Sequence, residues 1–305
     1  MSEQELVLGI DLGGTHIRLG LVSPSGKCSR FHREVVDKRI SGDDFVGLIA
    51  RRTKALGMLS KISAVGIGLA GVVFRDGTIK PELVNLPGLG GYPLVANLSE
   101  ILSKPCLLGN DADLALRGET HFGAARGYQN VLMLTLGTGI GGGLLLDGRL
   151  RQGPHASTVE IGRMIFGYPN EEIISPIEDL YAPGNLMKRL GDETGLLFDR
   201  IQQGDDYARQ LASEMFQALA ILITNVHLLL DLELVLIGGG LASAGNDLVT
   251  GLCNAVQRVC PPENHGDLNI ELGALPADTA GVIGAACMWF ERYGLLPHLQ
   301  ISGAL

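Results

Sequence analysis

Five cysteines, Cys28, Cys106, Cys253, Cys260 and Cys287, are scattered over 305 residues with no CxxC or CxC spacing among them. Their odd number and wide separation argue against a disulfide framework and against a cysteine-held zinc. No cluster of five or more lysines and arginines occurs, and the net charge is −9. Nucleic acid and anionic membrane surfaces are therefore not expected as main partners. The longest apolar stretch, Ala218 to Leu230, has only 13 residues, contains Thr224, Asn225 and His227, and stops at Asp231. It reads as a buried helix too short to span a bilayer. The N-terminal segment MSEQELVLGID carries acidic residues and runs directly into a strand, unlike a signal peptide, so a cytoplasmic protein is expected. A P-loop, GxxxxGK(S/T), is missing, and no GxGxxG follows the first strand, which removes the P-loop and Rossmann dinucleotide classes.

Glycine is what the chain has in excess, 43 residues against a background of 46% hydrophobic and 19% charged residues. The background is that of an ordinary globular protein, and the length exceeds what one hydrophobic core usually serves, so two lobes are expected. The glycines point to backbone turns at positive φ or to close approach of something to the main chain, as in phosphate-binding loops.

Leu6 to Ile10 is an apolar run ending in Asp11, then Gly13, Gly14 and Thr15, then Ile17, Leu19 and Leu21 alternating with polar or small residues. This is strand, glycine turn, strand. Asp43 to Leu59 has the helical period, with Asp43 or Asp44 as the N-cap. Val65–Leu69 and Cys106–Leu108 read as strands, and a helix runs from Asp111 to about Phe122. The pattern then starts over: Val131 to Leu136, the loop Gly137 to Gly143, and Leu144 to Leu146 repeat strand, glycine turn, strand. Ala208–Leu230 and Ala280–Phe290 read as helices, and Leu234–Ile237 as a strand entering Gly238, Gly239 and Gly240. Two similar halves predict a duplicated α/β fold with a cleft between its lobes. The expected lobes are residues 1–121, with 290–305 packing back on them, and 122–289.

Each motif has a plain structural alternative. Asp11 to Thr15 offers successive N–H groups for an anion and a carboxylate that can hold water on Mg²⁺, yet a strand-end DxGG is also a tight hairpin. The loop from Gly137 to Gly143 is richer in glycine than a turn requires. Gly238 to Gly240 leaves room for a base or ribose, or simply turns a strand into a helix. Asn110 and Asp111 sit at a strand's C-terminal end, where α/β folds place chemistry, and where Asn and Asp also serve as N-caps. Asn85 by itself reads as turn chemistry, and Glu160 and Glu178 as solvated glutamates.

Taken together and in order, Asp11 to Thr15 with Arg18, Asn85 to Gly88, Asn110 to Ala112, Gly137 to Gly142, Val159 to Gly162, and Leu236 to Gly240 resemble the ROK family of sugar kinases, in the actin-like ATPase superfamily that also holds hexokinase. The resemblance implies a duplicated actin-like (ribonuclease H-like) ATPase fold of two lobes closing over sugar and Mg·ATP. It implies Asp111 as general base, and Asn85, Asn110, Glu160 and Glu178 as ligands of sugar hydroxyls, with Ala70 and Gly71 forming one wall. Asp11, Gly13, Gly14, Thr15, Gly137, Thr138 and Gly139 would hold phosphates, Asp11 facing Mg²⁺ through water, and Gly238 and Gly239 the adenosine. Homodimers are common in the family. Its regulatory members, sugar sensors without activity, carry an N-terminal helix-turn-helix, and only five residues precede the first strand here. The chain departs from the family at Arg163, where a histidine is usual, and from Phe166 to Ile177, where a cysteine run usually binds zinc. Zinc is not expected, and Arg163 is expected to pair with Glu160, Glu171, Glu172 or Glu178.

Overall fold

The structure is a computed structural model and describes residues 5–74, 76–83, 85–155, 159–166, 175–191, 197–264, 268–296 and 301–302. In chain order its elements are β1 (Leu6–Leu12), β2 (His16–Val22), β3 (Cys28–Val35), α1 (Gly42–Ala55), β4 (Ile62–Leu69), α2 (Leu94–Leu102), β5 (Cys106–Asn110), α3 (Asp111–Phe122), β6 (Val131–Leu136), β7 (Ile140–Leu146) and β8 (Arg149–Arg151). They continue with β9 (Ile165–Phe166), β10 (Ser175–Pro176), α4 (Ile177–Tyr181), α5 (Pro183–Arg189), α6 (Leu197–Gln202), α7 (Asp206–Leu230), β11 (Leu234–Gly238), α8 (Asn246–Val259), β12 (Asn269–Leu272), α9 (Ala280–Arg292) and β13 (Ile301–Ser302). The chain divides into two compact units, Met1–Arg126 with Arg149–Thr158 and Ala274–Leu305, and Gly127–Gly148 with Val159–Gly273.

The first unit holds the sheet β3-β2-β1-β4-β5, in which β1 pairs antiparallel with β2 and parallel with β4. Side chains alternate across a strand, so each strand divides its residues between two faces. Leu8, Ile10 and Leu12 of β1 and Val65, Ile67 and Leu69 of β4 belong to one core, which Phe45, Val46 and Ile49 of α1 and Leu94 and Leu98 of α2 complete. The opposite face reads Val7, Gly9, Asp11 on β1 and Ala64, Gly66, Gly68 on β4, and α9 packs there with Val282, Ala286 and Phe290. In the second unit β6 pairs antiparallel with β7 and parallel with β11, which in turn pairs parallel with β12. One hairpin partner on one side and two parallel strands on the other is the same arrangement as in the first unit. The duplication predicted from the two glycine-turned hairpins is thus present in the strand pairing.

Several boundaries differ from the sequence reading. Ser41 caps α1, its Oγ accepting the Asp44 amide at 3.1 Å, while Asp43 and Asp44 lie in the first turn, where acidic groups favour the helix dipole. The helix ends at Ala55, short of Leu59. Strand β3 was not foreseen, because it is a largely exposed strand rich in polar residues and its pattern lacks clean alternation. Helix α7 starts at Asp206 and has 25 residues, long and apolar enough to cross a membrane by length and composition. The argument from shortness therefore does not hold. Packing decides instead, since Leu211, Met215, Leu219, Leu222 and Ile223 are core residues of the second unit.

Glu119 on α3 is 1% exposed, and its carboxylate accepts the amides of Ala124 at 2.8 Å, Ala274 at 3.0 Å and Leu275 at 2.9 Å. It ties the segment that leads into α9 to the end of α3. Glu119→Ala strands buried donors that each cost roughly 1–3 kcal/mol. Denaturant unfolding is expected to show a loss of about 3 kcal/mol or more, with Glu119→Gln falling between this variant and the parent.

Candidate active site

Asp11 ends the α9-facing row of β1, and Arg18 is its cross-strand partner on β2. Arg18 Nη1 donates to Asp11 Oδ2 at 3.2 Å, and Arg18 Nε donates to Asp278 Oδ1 at 2.9 Å. Arg33 on β3 also reaches Asp278, with Nη1 3.1 Å from Oδ1 and 3.3 Å from Oδ2. Burial raises the Asp11 carboxyl above its ordinary range, and the Arg18 charge offsets this only in part.

Two strands away, Asn110 is the N-cap of α3. Its side-chain oxygen accepts the amides of Ala112 at 3.0 Å and Asp113 at 3.1 Å, and its Nδ2 donates to the Gly71 carbonyl at 3.1 Å. The N-cap duty that sequence could assign to either residue falls to Asn110. Asp111, the first helical residue, accepts the Ala112 amide on Oδ1 at 2.9 Å, and among the described residues Oδ2 has no hydrogen-bond donor. Its carboxyl is pushed up to about 7, mainly by burial, then by the neighbouring negative charge of Asp11 and, less, of Asp113, against backbone hydrogen bonds that lower it. A carboxylic acid poised near neutrality is suited to exchanging protons at physiological pH.

Other expected residues gather at the same strand ends. Ala70 N donates to the Leu12 carbonyl at 3.0 Å, and a side-chain carbon on Gly14 would lie 3.8 Å from Asn85 Cβ. Asp11, Gly14, Ala70, Gly71, Asn85, Asn110 and Asp111 thus form one neighbourhood. Gly13 and Gly14 have no positive φ, and an added carbon at either would meet nothing closer than 3.7 Å. Neither fold nor backbone conformation requires glycine there, so these two positions keep a cradle open that a Cβ would fill.

In the second unit, the loop between β6 and β7 is braced from behind. Gly184 N donates to the Gly137 carbonyl at 3.1 Å, and a side chain on Gly184 would strike the Thr138 carbonyl oxygen at 2.7 Å. Gly137 is itself open, with its nearest neighbour, Gly240 N, at 4.0 Å. Gly139 is different, since a Cβ there would lie 2.9 Å from Glu178 Oε2. Glu178 accepts from Ile140 N at 3.4 Å through Oε2, and Arg163 Nη1 lies 3.2 Å from its Oε1. Arg163 also lies 3.7 Å from Asp179, a partner not anticipated. Glu160 is exposed and its backbone carbonyl accepts Arg163 N at 2.9 Å. Residues 167–174, including the proposed partners Glu171 and Glu172 and most of the segment replacing the zinc run, lie outside the described residues. Gly239 has a structural need for glycine, with φ of +83° and a would-be Cβ 2.5 Å from the Leu136 carbonyl oxygen. Gly238 would place a Cβ 2.7 Å from Met133 Cε.

Sequence reasoning missed Asp278, Asn185 and Gly281. Asp278 lies 260 residues from Arg18 along the chain, and nothing local marks it as a counter-ion. Asn185 donates to the Glu178 carbonyl at 2.9 Å, and only the structure brings them together.

The model of the ROK family matches residues 7–176 and 188–292, and the chain belongs to the ROK family. A glucokinase of Thermotoga maritima is 30% identical over 314 residues, covering 94% of this chain and 98% of its own. An N-acetyl-D-glucosamine kinase of Shigella sonnei is 32% identical over 264 residues, covering 77% of this chain and 84% of its own. Among solved structures, a ROK family glucokinase from Streptomyces griseus in complex with glucose and AMPPNP superposes with a TM-score of 0.81 at 23% identity, over 93% of this chain and 98% of that one. The fold is the actin-like ATPase fold that the motifs implied.

The raised Asp111 carboxyl has a thermodynamic signature. Between the ordinary aspartate range and about 7 the folded chain holds a proton that the unfolded chain releases, so stability falls as pH rises through this window. Asp111→Asn removes the charge that burial disfavours. Its melting temperature is expected to exceed the parent's by a few degrees at pH 8 and to match it near pH 4. Equal melting curves at both pH values would mean that the carboxyl is not perturbed.

Proposed function

We propose that this ROK protein moves the γ-phosphoryl group of ATP onto a hydroxyl of a hexose or hexose derivative, the primary 6-hydroxyl, with Asp111 as general base. The observation that carries the reading is Asp111 itself, an acid near neutrality with one oxygen that has no donor among the described residues, at the strand end where the open Gly13–Gly14 cradle and Asp11 also lie. The glucokinase and N-acetylglucosamine kinase names of its relatives support the same substrate class.

In this reading the sugar hydroxyl gives its proton to Asp111 Oδ2 as its oxygen attacks the γ-phosphorus, and the bond from that phosphorus to the β–γ bridging oxygen breaks to release ADP. Mg²⁺, when bound, neutralises charge developing on the phosphate oxygens. Asp11 would hold it through water, and the amides of Gly13 to Thr15, like those of Gly137 to Gly139, would take phosphate oxygens. Asn85 and Asn110 would bond sugar hydroxyls beside Ala70 and Gly71, and Glu160 and Glu178 of the second unit are the other candidate ligands of sugar hydroxyls. Asn110 has one Nδ2 hydrogen to spare for this, since its oxygen caps α3. Gly238 and Gly239 pass the adenosine, and no zinc is required. Little bond chemistry falls to the protein, so rate comes from positioning and from the base.

A coupled ADP-release assay over aldoses, ketoses and N-acetylhexosamines identifies the acceptor, and no turnover with any of them would overturn the proposal. Asp111→Asn is expected to lower kcat by roughly a hundredfold or more while sugar still binds. Because the base works deprotonated, the parent's kcat should fall on the acid side with a midpoint near the Asp111 value of about 7.

For the second loop, Gly137 gives a cleaner probe than Gly139, whose side chain would collide with Glu178. Gly137→Ala is expected to leave the melting temperature unchanged and to raise KM for ATP roughly tenfold, the cost of about one lost contact, with KM for sugar little altered. Parallel changes in both constants would make the loop structural only.

A further inference from the structure

Helix α9 sits on the face of the first sheet that ends in Asp11. A Cβ on Gly9 would lie 2.1 Å from the Val282 carbonyl oxygen, one on Gly66 2.0 Å from that of Ala285, and one on Gly284 1.7 Å from that of Leu114. These three glycines meet backbone, and their absent side chains serve packing alone. Gly281, in the first turn of α9, meets something else. Its Cβ would lie 2.8 Å from Asp11 Cγ, 3.1 Å from Asp11 Cβ and 3.1 Å from Asp11 Oδ1. All three nearest atoms belong to one side chain, and that side chain is a carboxylate of the site.

We infer that Gly281 is a positioning residue for Asp11, its bare α-carbon being what allows the carboxylate to lie at the end of β1 between Arg18 and Asp111. The inference rests on the reading of Asp11 as a phosphate- and metal-facing group. On its far side Asp11 is held by Arg18 from β2, which is held in turn by Asp278 just ahead of α9. The carboxylate therefore has a counter-ion on one side and a helix backbone on the other. A methyl group at 281 cannot be absorbed by the neighbour giving way a few tenths of an ångström, because the atom it meets is the carboxyl carbon of a short side chain tied to an ion pair. The displacement goes to Asp11, and with it changes the charge that Asp111 feels. The charged groups around this pair are Arg18 on β2, Asp278 ahead of α9, and Asp113 on α3, with Arg33 of β3 behind Asp278. Glycine is a poorer helix former than alanine, so a glycine at this helical position calls for such a reason.

The test is a double-mutant cycle read by thermal unfolding, with Gly281→Ala, Asp11→Ala and the two combined. Asp11→Ala removes the Cγ and Oδ1 that the methyl would strike. Gly281→Ala is expected to lower the melting temperature of the parent by several degrees and to cost less than half as much in the Asp11→Ala background. An equal loss in both backgrounds overturns the inference. If Gly281→Ala alone does not fold, recovery of folded protein in the combined variant supports the contact, and failure of both overturns it. In folded Gly281→Ala, kcat/KM for Mg·ATP is expected to drop tenfold to a hundredfold, on the order of the cost of a small misplacement. The Mg²⁺ concentration for half-maximal rate should rise, a readout tied to the Asp11 carboxylate itself. Unchanged Mg²⁺ demand would sink the positioning role. Asp11→Asn separates the two claims: a parent-like Mg²⁺ requirement and kcat in that variant removes Asp11 from phosphoryl transfer, whatever the cycle shows of the contact.

Discussion

Contact between helix backbone and sheet backbone, without side chains between them, is the constraint on which the first unit depends. Helix α9 reaches β1 at Gly9, β4 at Gly66 and α3 at Leu114, in each case so closely that one extra carbon would overlap a carbonyl. Interiors pack near crystal density and do not absorb such an insertion. The consequence runs outward along the strands. Because side chains alternate, the row Val7, Gly9 continues to Asp11, so the helix that fixes the glycines also fixes the carboxylate after them. The same helix meets α3 through Gly284 and Gly118, and α3 begins with Asp111. Buried charge reinforces this contact. Arg117 pairs with Glu291, and His121 Nε2 lies 2.8 Å from the same carboxylate, joining the far end of α3 to that of α9.

Placing two carboxyl groups at the same end of one sheet, on β1 and just after β5, sets up a conflict that the structure resolves unequally. Asp11 receives Arg18 directly, whereas Asp111 receives only backbone amides. Burial raises both, and an arginine offsets the rise in part only at Asp11. The two acids of one type thus have different surroundings, one facing a guanidinium and the other backbone amides. Asp278 bears on this balance as well, since it binds Arg18 through Nε while Asp11 binds it through Nη1. The guanidinium is shared between the two aspartates, and Asp278 has Arg33 as a second cation.

Much of this was legible in the chain because period and punctuation are local. The runs that became β1, β6 and β11, the helix from Asp111 to Phe122, and the repeat of the glycine-turned hairpin all depend on residues close in sequence. What stayed hidden depends on partners far away. Helix α9 reads as a helix rich in small residues, but no local pattern says that those residues face Gly9 and Gly66. Strand β3 is polar and largely exposed and lacks the alternation that betrays a strand. Asn110 and Asp111 shared one ambiguous motif in sequence, and geometry separated them by showing which side chain caps the helix. The Arg163 reading was correct in kind, a pairing with a carboxylate, but sequence offered four candidates and the structure gives Glu178, with Asp179 beside it.

Glycine is where sequence reasoning is most easily misled, because one residue type serves three different needs here. Gly239 has a left-handed backbone and faces the Leu136 carbonyl, so its presence is explained without a ligand. Gly9, Gly66 and Gly284 have ordinary backbones and are explained by α9. Gly13, Gly14 and Gly137 have neither the conformation nor a clash, and a Cβ at each would make only ordinary contacts, at 3.7 Å or more. An alanine would cost the folded chain little at these positions and would restrict the unfolded chain more, which by itself favours stability. A fold under no other demand has no use for glycine there. The phosphate approach proposed above would supply such a demand at each of the two loops, which the duplicated hairpins repeat in the two units.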